Sequence, residues 1–168
     1  MKTYLEDNLE NMLMLLKDLV NQDSGSNYRI GVNLVGAMIR KEFEQLDFIV
    51  KEIPQEKTGN HLVIQHKDAV APSILIIAHL DTVFGANTVA KRPFTIVNDR
   101  AYGPGVIDMK GSHVSLIYAL KALIQSGRTE VLKNLMIIFN SDEEIGSRTS
   151  RKLIERLAVG KNCCGGSG

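Results

Sequence analysis

Ser73-Ile74-Leu75-Ile76-Ile77-Ala78-His79-Leu80 is a continuous apolar run of strand length, ending in a histidine and followed at once by Asp81. A strand with one wet face alternates polar and apolar residues. This one does not, so it reads as a strand buried on both faces. Leu135 to Asn140 (LMIIFN) repeats the pattern. Around these two strands the spacing changes to helical. Leu5, Leu9, Met12, Leu13, Leu16, Leu19 and Val20 recur three and four residues apart, and a second helix from Asn27 to Leu46 turns Val32, Val35, Ile39, Phe43 and Leu46 inward. Asp23-Ser24-Gly25-Ser26 breaks the two apart. Further helices are predicted from Lys110, with Val114, Ile117, Leu120 and Ile124 inward, and over Ser150 to Ala158. Short strands are predicted at Phe48 to Val50 and His61 to Ile64, with a hairpin of Phe94 to Val97 and Arg100 to Tyr102 about Asn98-Asp99. Helices alternating with fully apolar strands predict a three-layer α/β/α sandwich on a mostly parallel, mixed sheet.

The length of 168 residues suits one domain with a real core. A net charge of +1, with Lys and Arg scattered rather than striped, gives no reason to expect nucleic acid or an anionic membrane as partner. No apolar run approaches the roughly 18 residues that cross a bilayer. The opening MKTYLEDNLENMLMLL places Glu6, Asp7 and Glu10 where a signal peptide needs basic and then apolar residues, so a cytoplasmic location is expected. Cys163 and Cys164 are adjacent, a spacing suited neither to bridging each other nor to a zinc knuckle. With Gly165-Gly166-Ser167-Gly168 they read as a tail, a truncation scar or a linker, leaving residues 1–162 as the folded unit.

In open α/β sheets ligands bind beyond the carboxyl ends of the strands. Three stretches meet that condition. In His79-Leu80-Asp81, an imidazole suits a metal and a carboxylate two residues on can hold its other ring nitrogen. Alone, the pair is equally a strand end followed by a turn. In Gly103-Pro104-Gly105-Val106-Ile107-Asp108-Met109-Lys110-Gly111, glycines set Asp108 at a helix start, where a carboxylate can bridge two cations or simply complement the helix dipole. The stretch is no dinucleotide fingerprint, because its third glycine is misplaced and no buried strand leads in. In Asn140-Ser141-Asp142-Glu143-Glu144-Ile145-Gly146-Ser147, three acids in a row repel unless cations or solvent relieve them. One glutamate can coordinate metal while its neighbour moves a proton. Singly each stretch is ambiguous. Together, at one sheet edge, imidazole and carboxylates match zinc, manganese or cobalt. His61, His66 and His113 read as surface or packing residues, Lys110 as a solvated helix-start lysine, and Arg148 and Arg151 as helix surface.

HLDTVF, GPGVIDMKG and NSDEEIGS, in this order, resemble the signature of the zinc peptidase and deacylase family of acetylornithine deacetylase, succinyl-diaminopimelate desuccinylase, aminoacylase and glutamate carboxypeptidase. Asp23 to Ser26, Gly59-Asn60-His61-Leu62 and Arg92-Pro93-Phe94 resemble the glutamate carboxypeptidase branch in particular. The likeness runs from about residue 5 to residue 162. It implies the N-terminal part of a phosphorylase/hydrolase-like catalytic domain. It also implies two zinc ions, His79 on one, Glu144 on the other, Asp108 between them, Glu143 as general base and Asp81 orienting His79. The reaction implied is hydrolysis of a small peptide or an N-acyl amino acid by metal-activated water. Family members add a further carboxylate after the last helix found here, a late histidine, and a smaller domain that helps them dimerise. None is present in this sequence. The expectation is therefore weak metal binding and little or no turnover by the chain itself; a non-catalytic module that keeps the fold is the alternative.

Overall fold

Both unalternating runs become adjacent central strands. The computed structural model describes residues 1–165, the last three by backbone alone. In chain order the elements are α1 (Lys2–Asp7), α2 (Leu9–Val20), α3 (Arg29–Glu44), β1 (Phe48–Ile53), β2 (His61–His66), β3 (Ile74–His79), α4 (Thr88–Lys91), β4 (Thr95–Val97), β5 (Arg100–Tyr102), α5 (Gly111–Gln125), β6 (Leu135–Asn140), α6 (Arg151–Ala158) and β7 (Asn162–Gly165). The first predicted helix is divided at Asn8, whose side-chain amide donates to the Tyr4 carbonyl at 2.8 Å. Such local side-chain bonds compete with the helix ladder, and apolar spacing alone does not reveal them. The hairpin β4–β5 turns on Asn98 and Asp99, both at positive φ (49° and 61°), as two-residue hairpin turns require.

The main sheet has the order β1-β2-β6-β3-β7. β3 runs parallel to β6 and β7, whereas the β1–β2 and β2–β6 pairs are antiparallel. The sheet is thus mixed, with its parallel half carrying the strand ends of interest. In that half, the register His79↔Asn140 brings the segments that follow β3 and β6 out side by side.

β7 corrects one expectation. The stretch from Cys163, set aside as a tail, continues the sheet through Gly165, pairing Leu75↔Cys163 and Ile77↔Gly165. The open edge of β3 offers a row of backbone donors and acceptors that any extended segment can satisfy. Two cysteines and a glycine carry no alternation that would announce it. Gly166 to Gly168 lie outside the described residues.

Absence of alternation has the expected cause. In β6, Ile137 and Phe139 face α2, α3 and α5, packing with Leu19, Val32, Val35, Ile39, Phe43, Ile117 and Leu120. Ile138 faces the opposite side, where Leu153, Ile154 and Leu157 of α6 close over Leu75 and Ile77. Ile137, Ile138 and Phe139 are all fully buried, and each contributes about 1.5–3 kcal/mol. That makes three layers, α/β/α. No helix among the described residues is long and apolar enough to cross a membrane.

Candidate metal centre

His79 closes β3 and is nearly fully buried. Its Nδ1 lies 2.9 Å from the carbonyl of Asp81, and since a carbonyl only accepts, Nδ1 carries a proton. Nε2 lies 3.0 Å from Oδ1 of Asp108. Burial pulls the imidazole pKa down, but the Asp81 and Asp108 carboxylates outweigh it and hold the ring at about 9. The metal-free ring is therefore an imidazolium that donates from both nitrogens. Loss of the Nε2 proton leaves a lone pair facing the Asp108 carboxylate, a donor pair suited to a divalent cation.

Asp108 comes from the glycine-bounded turn. Gly105 sits at φ 73°, and a Cβ there would lie 2.7 Å from Cγ2 of Thr82, so only glycine fits. The Asp108–Met109 peptide is cis. Asp108 itself is half-exposed. Lys110, expected in solvent, is instead buried, with Nζ donating to the Gln22 carbonyl at 2.8 Å. Burial lowers its amine to about 8 against the opposing charge of Asp23. It ties the start of α5 to the turn after α2, a tertiary contact that sequence spacing could not show.

The acidic loop divides its three acids. His79, Glu143 and Glu144 bring ligand atoms within 4.8 Å of one another. Asp142 turns away, accepting from the Thr149 amide (2.6 Å), the Thr149 hydroxyl (2.8 Å) and the Ser150 amide (3.3 Å). Burial favours its neutral form, yet those donors keep its carboxyl below the ordinary value. Glu144 titrates above its ordinary value, because of burial first and then the carboxylates of Asp108, Asp81 and Glu143, with His79 opposing. Burial and then crowded negative charge raise this carboxyl, and a cation would relieve the second cause.

Asp81 does more than was expected of it. Its backbone carbonyl, not its carboxylate, makes the short bond to His79; the carboxylate stands 3.5 Å from Nδ1. That buried carboxylate accepts from the Ser26 hydroxyl at 2.6 Å and from the amides of Glu143 and Glu144, each at 3.2 Å. One side chain thus joins the His79 strand to the glutamate loop.

Two histidines read as surface or packing groups lie directly behind the site. His113 is fully buried, packs edge-on against Phe139 at 5.0 Å, and donates from Nε2 to the His79 carbonyl at 2.8 Å. His61 bonds Ser141 and Thr149, on either side of the glutamates. His61 falls in the Gly59-Asn60-His61-Leu62 stretch, which assigned it no role, and His113 in no motif, so the signal for both was a histidine where β2 and α5 needed an apolar residue. His66 packs against Phe48 as a core group.

These rings set an acid limit. Burial lowers the His113 imidazole from 6.5 to about 3, and burial lowers His61 too. A depressed imidazole contributes stability above its unfolded pKa and loses it as pH falls. His79, raised from 6.5 to about 9, contributes fully below 6.5 and so adds no slope there. Urea unfolding of the metal-free chain should lose about 1 kcal/mol through His113 between about pH 6.5 and 5.5, with His61 acting in the same direction. A flat profile over that range would show that His113 is not held neutral.

Beside Glu144 a cleft of about 420 Å³ is lined by Ser26, Tyr28, Thr82, Val83 and Ile145 among others, room for part of a small ligand.

Known proteins resemble this chain along most of its length. Carboxypeptidase G2 of Pseudomonas sp. (strain RS-16) is 32% identical over 149 residues, 88% of this chain and 36% of that protein. The fold superposes on human carnosine dipeptidase 1 with a TM-score of 0.83 at 19% identity, covering 99% of this chain and 40% of that one. It also superposes on the YXEP protein of Bacillus subtilis, described as a dinuclear metal-binding peptidase, with a TM-score of 0.59 at 22% identity, covering 98% of this chain and 43% of that one. The chain thus spans well under half the length of these relatives. Residues 75–165, more than half of it, match the model of Peptidase family M20/M25/M40, and they include His79, Asp108, Glu143 and Glu144: the chain belongs to that family.

Proposed function

We propose that this chain carries the catalytic core of a metal-dependent hydrolase of amide or peptide bonds. His79, Asp108 and Glu144 would hold two divalent cations, with Asp108 as the residue both would share, and Glu143 would be the general base. The observation that carries the reading is the convergence of His79, Glu143 and Glu144 ligand atoms within 4.8 Å, with Asp108 at 3.0 Å from His79 Nε2. Imidazole with carboxylates suits zinc, and cobalt or manganese as substitutes. Bound there, such cations polarise a carbonyl and make water more acidic. Asp81 fixes the His79 ring and both glutamate amides. Glu143, exposed and free of structural bonds to its carboxylate among the described residues, takes a proton from water and returns it to the leaving amine. The cleft beside Glu144 receives the flanking part of a small peptide or N-acyl amino acid.

One terminal ligand per cation plus a shared aspartate is fewer than the three protein ligands usual at catalytic zinc, so affinity is low and the chain alone turns over little substrate. Calorimetric zinc titration tests the assignment. His79→Ala should abolish uptake and Glu143→Gln should leave it within about threefold, while any hydrolysis of dipeptides or N-acyl amino acids falls about 100-fold or more in Glu143→Gln. Zinc uptake indifferent to His79, or none at all, would overturn the reading in favour of a module that keeps the fold without the chemistry.

A further inference from the structure

The loop bearing Glu143 and Glu144 is held from two directions. Asp81 holds its front; a chain of hydrogen bonds through His61 holds its back. The Ser141 amide donates to His61 Nδ1 at 3.1 Å, so Nδ1 is an acceptor. The Ser141 hydroxyl, 3.0 Å from the same nitrogen, spends its proton on the Gly59 carbonyl. At the other ring nitrogen, Nε2 lies 3.0 Å from the Thr149 hydroxyl. That hydroxyl donates to Asp142 Oδ2 at 2.8 Å, so it accepts from Nε2. Both ends require the same tautomer, Nε2–H with Nδ1 bare. The bonds run from the Ser141 amide through the His61 ring and the Thr149 hydroxyl to the accepting Asp142 carboxylate, and they span the glutamates from residue 141 to residue 149.

We propose that His61 and Thr149 form a positioning couple, in which the neutral Nε2–H imidazole of β2 sets the spacing between the two ends of the glutamate loop and thereby the placement of Glu143 and Glu144. The inference rests on the roles proposed above for those glutamates. Three features support it. His61 is fully buried in a sheet position where an apolar residue would otherwise pack, so its two polar atoms must be satisfied, and both bonds go to the loop. Burial also holds the imidazole below its ordinary pKa in spite of the negative charges of Asp142 and Asp81, which keeps the ring neutral. Further, the Asp142 carboxylate at the end of the chain has its other oxygen, Oδ1, buried without a partner, so the Thr149 hydroxyl is its one side-chain donor beside the Thr149 and Ser150 amides.

Thr149 lies at the surface, so Thr149→Val removes the hydroxyl with little risk to folding. In the whole chain without metal, a long-range nitrogen–proton correlation spectrum should show His61 as the Nε2–H tautomer at neutral pH. Thr149→Val should speed amide exchange of Glu143 and Glu144 and weaken zinc binding by about threefold to tenfold, the loss of two partly buried hydrogen bonds. Thr149→Ser should restore both. His61→Gln combined with Thr149→Val should be no worse than the poorer single variant, since the two act as one unit. The unfolding midpoint of Thr149→Val should fall modestly, as one orphaned buried donor requires, while amides outside the loop keep the parent's exchange rates, which separates positioning from general stability. A proton on Nδ1, or Glu143 and Glu144 exchange unaltered in Thr149→Val, overturns the proposal. If the parent chain takes up no zinc, the functional reading fails, and the tautomer and exchange measurements still decide the couple.

Discussion

Asp81→Ala loses zinc affinity by about 10–100-fold and destabilises the metal-free chain by about 3–5 kcal/mol. Both effects come from one buried carboxylate with three donors. Its removal leaves the buried Ser26 hydroxyl and the partly buried Glu143 and Glu144 amides without that partner. It also removes the charge 3.5 Å from His79 Nδ1. Each orphaned donor costs about 1–3 kcal/mol where water cannot enter. Asp81→Asn keeps the shape and one acceptor oxygen, so it should fall between parent and alanine in both properties. Urea unfolding and zinc calorimetry on the three proteins check the order. Wild-type zinc affinity in Asp81→Ala would mean that the glutamate loop holds its own shape.

Phe139→Ala costs about 3–5 kcal/mol, the range for an aromatic removed from a packed core. Phe139 is fully buried beside the site, edge-on to Phe43 at 5.8 Å and to His113 at 5.0 Å. The vacated space lies against the His113 ring, which holds the His79 carbonyl, so the effect extends to the metal centre. The contrast is Ile49→Ala on the edge strand β1, where the side chain is 55% exposed and the expected change is within about 0.5 kcal/mol. Equal losses at the two positions in urea unfolding would contradict the layering.

Legibility of the site followed chain distance. His79, Asp108, Glu143 and Glu144 each sit in a short motif whose composition is odd for its place, so each could be named from sequence. Asp81 was named for the right neighbour but for part of its work. Its bonds to Ser26, Glu143 and Glu144 join segments 55, 62 and 63 residues apart, and no local pattern encodes them. Lys110, expected in solvent, is buried for the same reason, and His61 and His113, expected at the surface or in packing, are buried with bonds no local pattern encodes. A lysine at a helix start and a histidine in a strand look ordinary until the packing shows that nothing else surrounds them.

By itself the sequence determined most of the elements and the inward faces of α3, α5 and the two central strands. Helical spacing and unalternating strands are consequences of burial, and burial leaves its mark residue by residue. The three-layer architecture followed from that mark, and so did the placement of the reactive motifs at strand ends. Only the tertiary structure decided the pairing: that β2 is antiparallel to β6, that the segment from Asn162 extends the sheet, and that His79 and Asn140 stand in register. Backbone hydrogen bonds between strands are chemically the same whichever strands make them. Partner and direction are therefore fixed by how the whole core packs, and with them the distances that make the site.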